Sequence, residues 1–388
     1  MALQLFTRLS SSYFFYFALL GLVTPFLSVY LDGKGFNSLE LGEILAIITA
    51  TRIIAPSLWA MLADKTGRQL AVIRLGALLA LLSFTLLFWL DSYWPITLSL
   101  ALFSLFWTAI LPQLEVLTLT SVKRSGKIYA RIRLWGSLGF IVFAILAGQL
   151  ISVFSFQAFL AVGFILLILL LLSTLVLQQP KQARSKVIEQ ASIWAKFFKL
   201  PFIIFFIAGI LLQVSFGPYY SFFALYLRDL AYPDYAVGVL ISLGVVAEII
   251  VFIYAGVFFK HFSIQSLLCI SLAFTALRWY CVGLWGDSVW ILSLTQLSHA
   301  FSFALYHSAS MQFISNYFSQ AQQGRGQAVY LGGVYGVGGA VGAYLAGVLW
   351  LDGQGASTAF NFAALAALSG AILLLFLKEK SHAISLKE

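Results

Sequence analysis

The feature that most constrains this chain is a series of long apolar stretches, each near the roughly 20 residues that a helix needs to cross the hydrocarbon core of a membrane. Of all residues, 61% are hydrophobic and only 10% are charged, whereas an average soluble domain carries about 25% charged residues. No soluble core could bury so much apolar surface. The sequence therefore predicts an all-α membrane protein with twelve spans, at roughly 11–31, 41–63, 71–90, 94–118, 134–153, 157–177, 202–227, 237–259, 265–284, 289–313, 327–350 and 356–377.

The basic residues are unevenly distributed between the two ends of these spans. A net charge of +9 could by itself indicate a nucleic-acid partner. All but four of the 23 Lys and Arg residues, however, lie at the span ends on the side of the N-terminus. The exceptions are Lys34 and Arg228 at the opposite ends, and Arg52 and Arg278 within spans. This positive-inside bias predicts cytoplasmic termini, the lipid bilayer as a partner and no nucleic acid.

The chain divides into two halves that resemble each other. A polar interval, 178–200, separates an N-terminal bundle of six spans (1–177) from a C-terminal bundle with a short tail (201–388), and we expect it to be a cytoplasmic linker. An ungapped offset of 196 residues superposes four identical residues, Gly21, Tyr30, Leu31 and Gly42, on Gly217, Tyr226, Leu227 and Gly238. The same offset places Arg52 on Glu248. Duplication predicts two pseudo-symmetric bundles with an arginine and a glutamate at matching depths.

Several ionisable residues lie inside the predicted spans. A charged side chain at the centre of a bilayer costs at least about 2.5–3.5 kcal/mol, so it faces a bundle interior or cavity and pairs there. Two interpretations stay open: a network of ion pairs that only stabilises the bundle, or a network whose partners change as helices move apart. Because the charges are distributed over several helices, we favour the second. The set is Arg52, Glu115, Glu248, Arg278, His299 and His307, with Arg133 at a span entrance.

Other features are weaker. Gln213, Phe216, Tyr219 and Tyr220 form a face that could line an aromatic pocket or could simply pack. Cys269 and Cys281 are twelve residues apart, about 18 Å on a helix, too far for a disulfide. The sequence has no metal-ligand cluster, nucleophile motif or large domain outside the membrane, so we expect no metal, no cofactor and no enzymatic activity.

One loop carries a recognisable motif. The segment AMLADKTGR, residues 60–68, resembles the loop signature of the major facilitator superfamily, with Ala60 where glycine is usual. The resemblance implies a gating loop in which Asp64, Lys65, Gly67 and Arg68 form contacts that break when the two halves rock. The equivalent segment of the second half, 256–260, lacks the acid. We therefore expect the complete gating contact in the first half only.

The resemblance extends over nearly the whole chain. YARIRLWGSLGF (129–140) and GVVAEIIVF (244–252) are similar to segments of the lactose permease, nucleoside symporter and phenylpropionate permease group, and look most like the phenylpropionate permease branch. This implies alternating access by a monomer in the bacterial cytoplasmic membrane. It also implies proton-coupled import of a small organic solute, most simply an aromatic monocarboxylate such as 3-phenylpropionate. A sugar or nucleoside symporter, or an exporter of the same fold, is the alternative.

The lactose permease pattern also implies roles for individual residues. Glu248, Arg278 and His299 would form the network for the proton and the substrate, and Arg133 with Glu115 would correspond to the sugar-binding pair. Two departures matter: Phe140 replaces a tryptophan that stacks on sugar, and Ser302 replaces an acid. The candidate proton-coupling residues are therefore Glu248, His299 and Glu115, and the candidate substrate contacts are Arg278, Arg52, Arg133, Phe140, Gln213 and Tyr219.

Overall fold

The computed structural model describes residues 2–178, 193–320 and 322–377, with only the backbone of Ala255, and every regular element in these ranges is helical. Two π-helical segments, Phe301–Leu305 and Leu331–Gly338, interrupt the series. The α-helices are α1 (Ala2–Gly33), α2 (Ser38–Thr66), α3 (Gln69–Thr85), α4 (Tyr93–Trp107), α5 (Ile110–Ser121), α6 (Gly126–Phe154), α7 (Ala158–Leu175), α8 (Trp194–Phe197), α9 (Leu200–Ser215), α10 (Gly217–Asp229), α11 (Asp234–His261), α12 (Ile264–Trp285), α13 (Val289–Leu297), α14 (Tyr306–Tyr317), α15 (Gln323–Tyr330), α16 (Gly339–Trp350) and α17 (Ala356–Leu374).

Within the described ranges, eleven helical stretches are long and apolar enough to cross a membrane. The all-α membrane architecture expected from the sequence is confirmed. The expected span at 289–313 is not among the eleven, although α13, a π-helical segment and α14 cover it. The reason is its polarity, since it carries Thr295, Gln296, Ser298, His299 and Ser302. The stretch Gln323–Gly353 also contains a π-helical segment and is among the eleven.

Local sequence signals determine where α2 begins and ends. The Asn37 side chain accepts a hydrogen bond from the backbone N–H of Glu40 at 3.0 Å, and the Glu40 carboxylate accepts one from the Asn37 N–H at 2.9 Å. This capping box satisfies two helix-end donors. At the other end Gly67 adopts a left-handed conformation, φ 64°, which glycine reaches without the steric cost of a Cβ. The glycine of the 60–68 loop is therefore a helix terminator.

The two halves meet mainly along α1 with α10, α2 with α16 and the second π-helical segment, and α6 with α11. Of the glycines related by the 196-residue offset, Gly42 and Gly238 lie at these contacts, whereas Gly21 and Gly217 pack against helices of their own halves. A Cβ on Gly42 would be 2.7 Å from the Cα of Gly347, and one on Gly238 would meet the backbone carbonyl of Ala144. Close helix approach of this kind requires small residues. Gly42 and Gly238 therefore allow the close approach of one half to the other.

These close contacts lie near the end of the bundle that carries the loops at 34–37 and 230–233. We call it the outer end below, because the positive-inside bias predicts that it faces away from the cytoplasm. A hydrogen-bonded contact between the halves reinforces it. Ser38 donates from its backbone N–H (2.9 Å) and hydroxyl (2.7 Å) to Asp352 Oδ1, and the Asp352 N–H donates to the Ser38 hydroxyl at 2.8 Å. Asp352 has φ 50°, a conformation that favours glycine. In the described conformation the halves are joined at the outer end.

Most of the linker between the halves, residues 179–192, lies outside the described residues. The described end of the linker contains the single-turn helix α8. Lys196 Nζ donates to the Tyr317 carbonyl at 2.9 Å, and the Tyr317 hydroxyl donates to the Lys196 carbonyl at 2.8 Å. Trp194 remains exposed. The end of the linker therefore docks on the end of α14.

Candidate functional site

A cavity of about 430 Å³ lies between the two halves. Seven of the nine candidate proton-coupling and substrate residues line it: Arg52, Arg133, Phe140, Gln213, Tyr219, Glu248 and His299. Glu115 and Arg278 are not among its lining residues. The rest of the wall is largely apolar and combines aliphatic side chains with five further aromatic rings, those of Phe17, Phe216, Tyr220, Phe303 and Tyr335. The cavity thus combines an apolar wall with a small number of charged groups, the usual composition of a small-molecule site.

Arg52 and Glu248, which the repeat relates, face this one cavity from opposite halves. The Arg52 side chain is exposed to it. No described residue lies within hydrogen-bond or ion-pair distance of its guanidinium, and its electrostatic neighbours are the hydroxyls of Tyr16 and Tyr220. An arginine inside a membrane protein without a fixed counter-charge is costly. Arg52 is therefore available to an anion that enters the cavity.

Glu248, unlike Arg52, has a side-chain partner. Its Oε1 lies 2.7 Å from Nε2 of His299, whose Nδ1 lies 2.6 Å from Nη1 of Arg278. Arg278 Nη2 also donates to Gln296 Oε1 at 3.2 Å, and the same oxygen accepts from the Tyr219 hydroxyl at 2.8 Å. Carboxylate, imidazole and guanidinium therefore form a continuous chain across α11, the turn after α13, and α12.

Arg278 occupies the closed end of that chain. The residue is only 1% exposed, and its guanidinium lies between the rings of Tyr219 (4.5 Å to the centroid) and Trp279 (4.2 Å). Trp279 is held in turn by a hydrogen bond to Ser215 at 3.2 Å. A solute in the cavity would meet Tyr219 and His299 before Arg278. A direct contact between substrate and Arg278 thus stays a prediction that this conformation does not favour.

The first half contributes a second arginine. Arg133 projects from α6 into the cavity and stacks on the Phe17 ring, with its guanidinium carbon 3.9 Å from the centroid. Glu115 instead accepts a hydrogen bond from the Tyr129 hydroxyl at 3.4 Å. Within the described chain, Glu115 and Arg133 form no ion pair at 4.0 Å or less. The two residues that the lactose permease pattern pairs, Glu115 and Arg133, are thus electrostatic neighbours without an ion pair in this conformation.

Both π-helical segments adjoin the site. His299 lies two residues before the first, and its ring stacks on Phe303 (5.8 Å between centroids), which stacks on His307 (6.2 Å). Tyr335 lies in the second segment, and its hydroxyl is 3.2 Å from Nδ1 of His307. Single π-turns inside α-helices occur frequently at functional sites. Here the two segments contribute Phe303 and Tyr335 to the cavity wall.

Sequence reasoning did not single out Phe17, Phe303 or Tyr335 as lining residues. Tyr335 carried a usable signal, because it is the one aromatic residue within GGVYGVGG, residues 332–339. Phe303 lies one helical turn after His299 and so shares its face. Phe17 is one of many aromatic residues in α1, and nothing in the sequence distinguishes it.

The predicted gating loop lies apart from the cavity. Asp64, Lys65, Gly67 and Arg68 are exposed at the end of α2. In the part of the chain that the structure describes, Asp64 has no ion-pair partner within 4.0 Å. Likewise no group of three or more His, Cys, Asp or Glu side chains there could hold a metal ion, and Cys269 and Cys281 are free thiols. The gating contact remains a prediction for another conformation.

Comparison with known proteins identifies the family. A family model described as the MFS_1 like family matches residues 6–362. The chain belongs to the major facilitator superfamily. It is similar to a probable 3-phenylpropionic acid transporter of Escherichia coli (strain K12), with 32% identity, covering 85% of this chain and 87% of the relative. It is also similar to a maltose permease of Geobacillus stearothermophilus, with 25% identity over 95% of this chain and 94% of the relative.

The solved structures agree on the fold. A crystal structure of a mutant of the nucleoside transporter NupG matches this chain with a TM-score of 0.86 and 19% identity, covering 97% of this chain and 100% of that one. At this identity the likeness concerns the fold alone. Together, the family and its relatives make this chain a multi-pass membrane transporter of small molecules and not an enzyme, as the sequence predicted.

Proposed function

We propose that this transporter imports a small aromatic monocarboxylate, such as 3-phenylpropionate, together with a proton by alternating access. One observation carries the proposal: a single cavity holds an unpartnered arginine, an aromatic wall and a carboxylate–histidine pair. Each of the three components fits one requirement of this transport reaction.

Arg52 fits the carboxylate of the substrate. A guanidinium presents a planar fork of donors that matches the two oxygens of a carboxylate. Hydrogen bonds between ionised partners are roughly twice as strong as neutral ones. Because no described residue neutralises Arg52, a bound carboxylate would supply its counter-charge. We assign this role to Arg52 in preference to Arg278, which is buried behind Tyr219.

The aromatic wall fits the ring of the substrate. Phe17, Phe140, Phe216, Tyr220 and Tyr335 offer ring faces and edges for offset or edge-to-face contacts. The volume of about 430 Å³ lies within the roughly 300–1,000 Å³ range of small-molecule sites. The relative described as a probable 3-phenylpropionic acid transporter supports the same substrate class.

Glu248 is suited to carry the proton. When ionised, it repels a carboxylate in the same cavity, and when protonated, it does not. Binding of the substrate anion would thus favour the protonated form of Glu248, and the pair would cross the membrane without net charge. The gradient of protons across the bacterial cytoplasmic membrane would then drive import. We infer in addition that both termini face the cytoplasm, from the distribution of Lys and Arg. We also infer that a monomer suffices for transport, because the described residues of one chain line the cavity.

A sugar or nucleoside symporter is the alternative, supported by the names of the maltose permease and nucleoside transporter relatives. That function would require Glu115 and Arg133 to bind hydroxyl groups together. Glu115 does not line the cavity, and Phe140 is found where a tryptophan would stack on sugar. The observations therefore favour the carboxylate. An exporter of the same fold differs only in the direction of net flux.

The test uses purified protein reconstituted in lipid vesicles with labelled 3-phenylpropionate, thymidine or maltose outside. An inward proton gradient should drive accumulation of 3-phenylpropionate only, and a protonophore should abolish it. For one proton per anion, a gradient of one pH unit supports about tenfold accumulation. Accumulation of maltose or thymidine instead, or 3-phenylpropionate uptake that persists with the protonophore, would contradict the proposal.

A further inference from the structure

The buried guanidinium of Arg278 contacts the histidine of the proton-coupling pair from the side away from the cavity. We propose that Arg278 is a positioning residue that holds His299 as the neutral tautomer with its hydrogen on Nε2, so that Glu248 alone carries the transported proton. This inference rests on the proton coupling of the proposed function. It adds that Glu248 binds the proton and that Arg278 prevents His299 from binding it.

The first step follows from the hydrogen-bonding chemistry of arginine. A guanidinium has five N–H donors and no acceptor, and it does not lose its charge in proteins. Arg278 Nη1 lies 2.6 Å from His299 Nδ1, so Nδ1 must be the acceptor of this hydrogen bond. A neutral imidazole has one N–H, which must then be on Nε2. That nitrogen lies 2.7 Å from Glu248 Oε1, where its hydrogen has an acceptor.

The second step concerns a further proton on His299. An imidazolium carries hydrogens on both ring nitrogens. The new Nδ1–H would point at Nη1 of Arg278, so two donors of two cations would face each other at 2.6 Å. The His299 side chain is only 7% exposed, so water cannot separate the two charges. While Arg278 is in place, His299 is therefore confined to its neutral form.

The third step places the proton on Glu248. Its Oε1 accepts from His299, and because Nε2 already carries a hydrogen, a protonated Glu248 cannot donate to the ring. A proton from water adds to the carboxylate to give the carboxylic acid, whose hydroxyl must turn toward the cavity that Glu248 lines. The acid returns the same proton to water when the cavity faces the other side. A neutral hydroxyl would then face the substrate anion.

Other ionisable groups surround Glu248 and bear on its titration. On α12, Arg278 acts through the imidazole, and Arg52 on α2 and Arg133 on α6 line the same cavity. All three favour the ionised carboxylate, so the proton must be bound against three positive charges, and a substrate carboxylate on Arg52 would neutralise one of them. The hydroxyls and rings that face Glu248 from α10, α14 and the second π-helical segment are those of Tyr219, Tyr220, His307 and Tyr335.

The direct test is nitrogen-15 NMR of histidine-labelled wild-type protein in lipid vesicles. The chain contains four histidines, and the His299 signals are assigned by their loss in His299→Gln. We expect an unprotonated Nδ1 and a protonated Nε2 from about pH 5 to about pH 8, the range over which an ordinary histidine changes charge. In Arg278→Met we expect an imidazolium signal at the acid end. An imidazolium at His299 in wild-type protein, or a hydrogen on Nδ1, would overturn the proposal without any variant.

The functional test compares the number of protons and of labelled 3-phenylpropionate molecules that enter vesicles. Glu248→Gln should exchange labelled for unlabelled substrate but lose all accumulation driven by the proton gradient. His299→Gln offers an amide oxygen to Arg278 and an amide N–H to Glu248, and it has no titratable group. We expect slower transport by His299→Gln but an unchanged proton-to-substrate ratio.

The two variants separate the proton carrier from a residue with a merely structural role. If His299→Gln exchanged substrate but had lost the coupled proton, as expected of Glu248→Gln, His299 would be the carrier and the proposal would be overturned. Absence of 3-phenylpropionate transport in wild-type protein would instead refute the proposed function. In that event the NMR spectrum still decides the tautomer, so the two failures are distinguishable.

Discussion

Arg278 Nη1 lies 2.6 Å from Nδ1 of His299, and this imidazole separates a fully buried cation from the carboxylate that balances it. Arg278 and Glu248 thus form an ion pair with a histidine inserted between the partners. A direct ion pair at low dielectric would hold the carboxylate ionised. The inserted ring of His299 holds the Arg278 guanidinium and the Glu248 carboxylate in line. It also weakens the attraction between the two charges, because it increases the distance between them.

The first prediction concerns Arg52 and the charge of the substrate. Arg52→Gln should weaken binding of 3-phenylpropionate by about 10- to 100-fold, because a hydrogen bond to a charged group contributes about 1.5–3 kcal/mol. Binding of the uncharged 3-phenylpropanamide should change little. Competition with labelled substrate measures both. Arg131→Gln, an exposed arginine on α6 that does not line the cavity, is the control. Equal losses for acid and amide would contradict a carboxylate contact.

The second prediction concerns closure of the outer end at Gly42. In Gly42→Val the added side chain would overlap the backbone of Gly347, only 2.7 Å from the position of a Cβ. The outer end should stay open and transport should be lost. A cysteine at Thr24, which lines the cavity, should react faster with an impermeant maleimide from outside, in a background without Cys269 and Cys281.

The control for this experiment is Gly256→Val on α11. A Cβ at Gly256 would have no atom within 4 Å, so the substitution tests the larger side chain without the close contact. We expect wild-type labelling of the Thr24→Cys site in this variant. If Gly42→Val were labelled no faster than Gly256→Val, the glycine contact would not be what closes the outer end.

The third prediction concerns the hydrogen bonds between Ser38 and Asp352. These bonds join the two halves and place a carboxylate at the start of α2, where the helix dipole favours it. Asp352→Ala should favour opening of the outer end by about 1.5–3 kcal/mol, the contribution of hydrogen bonds to a charged group. Labelling at Thr24→Cys should rise about tenfold or more.

Asp91→Ala is the matched control for Asp352→Ala. Asp91 pairs with Lys34 at 2.5 Å, also near the outer end, but both residues belong to the first half. Losing that ion pair leaves the contact between the halves intact. Similar labelling rates in the two variants would show that the Ser38–Asp352 contact has no special part in closure.

The fourth prediction concerns the turn that ends α2. Gly67 has φ 64°, and a residue with a Cβ pays about 1–2 kcal/mol in that conformation. Gly67→Ala should therefore lower the midpoint of thermal denaturation of the purified protein by a few degrees. Gly126→Ala, at the start of α6, has open space around its Cβ position and is expected to have no such effect. Equal midpoints for the two variants would contradict the assigned role of Gly67.

Much of the fold could be predicted because its causes are local in sequence. The length and hydropathy of each stretch depend only on neighbouring residues, so eleven of the twelve predicted spans needed no tertiary information beyond their boundaries. The span at 289–313 was harder. Its polar residues and the π-helical segment after His299 interrupt the regular pattern, since the helix there adapts to a cavity shared with other helices.

The candidate site was partly predictable for a different reason. A charge inside a membrane must find a partner or a cavity, so Arg52 and Glu248 were conspicuous in sequence before any contact was known. Their partners were not. Whether Glu115 pairs with Arg133, or Arg278 with Glu248, depends on how neighbouring helices rotate and cross. Differences of a few ångströms in their positions decide this, and the hydropathy of the sequence does not reveal them.

The amino-acid sequence by itself determined the solvent of this protein, its helices and which of its charges lie inside them, because each follows from the cost of placing polar groups in lipid. Only the tertiary structure decided that Arg278 lies behind His299 while Arg52 faces the cavity. In the sequence the two are alike, since each is an arginine within an apolar span and needs a partner or a cavity. The difference arises from packing: rings of Tyr219 and Trp279 enclose one guanidinium, and no described residue pairs with the other.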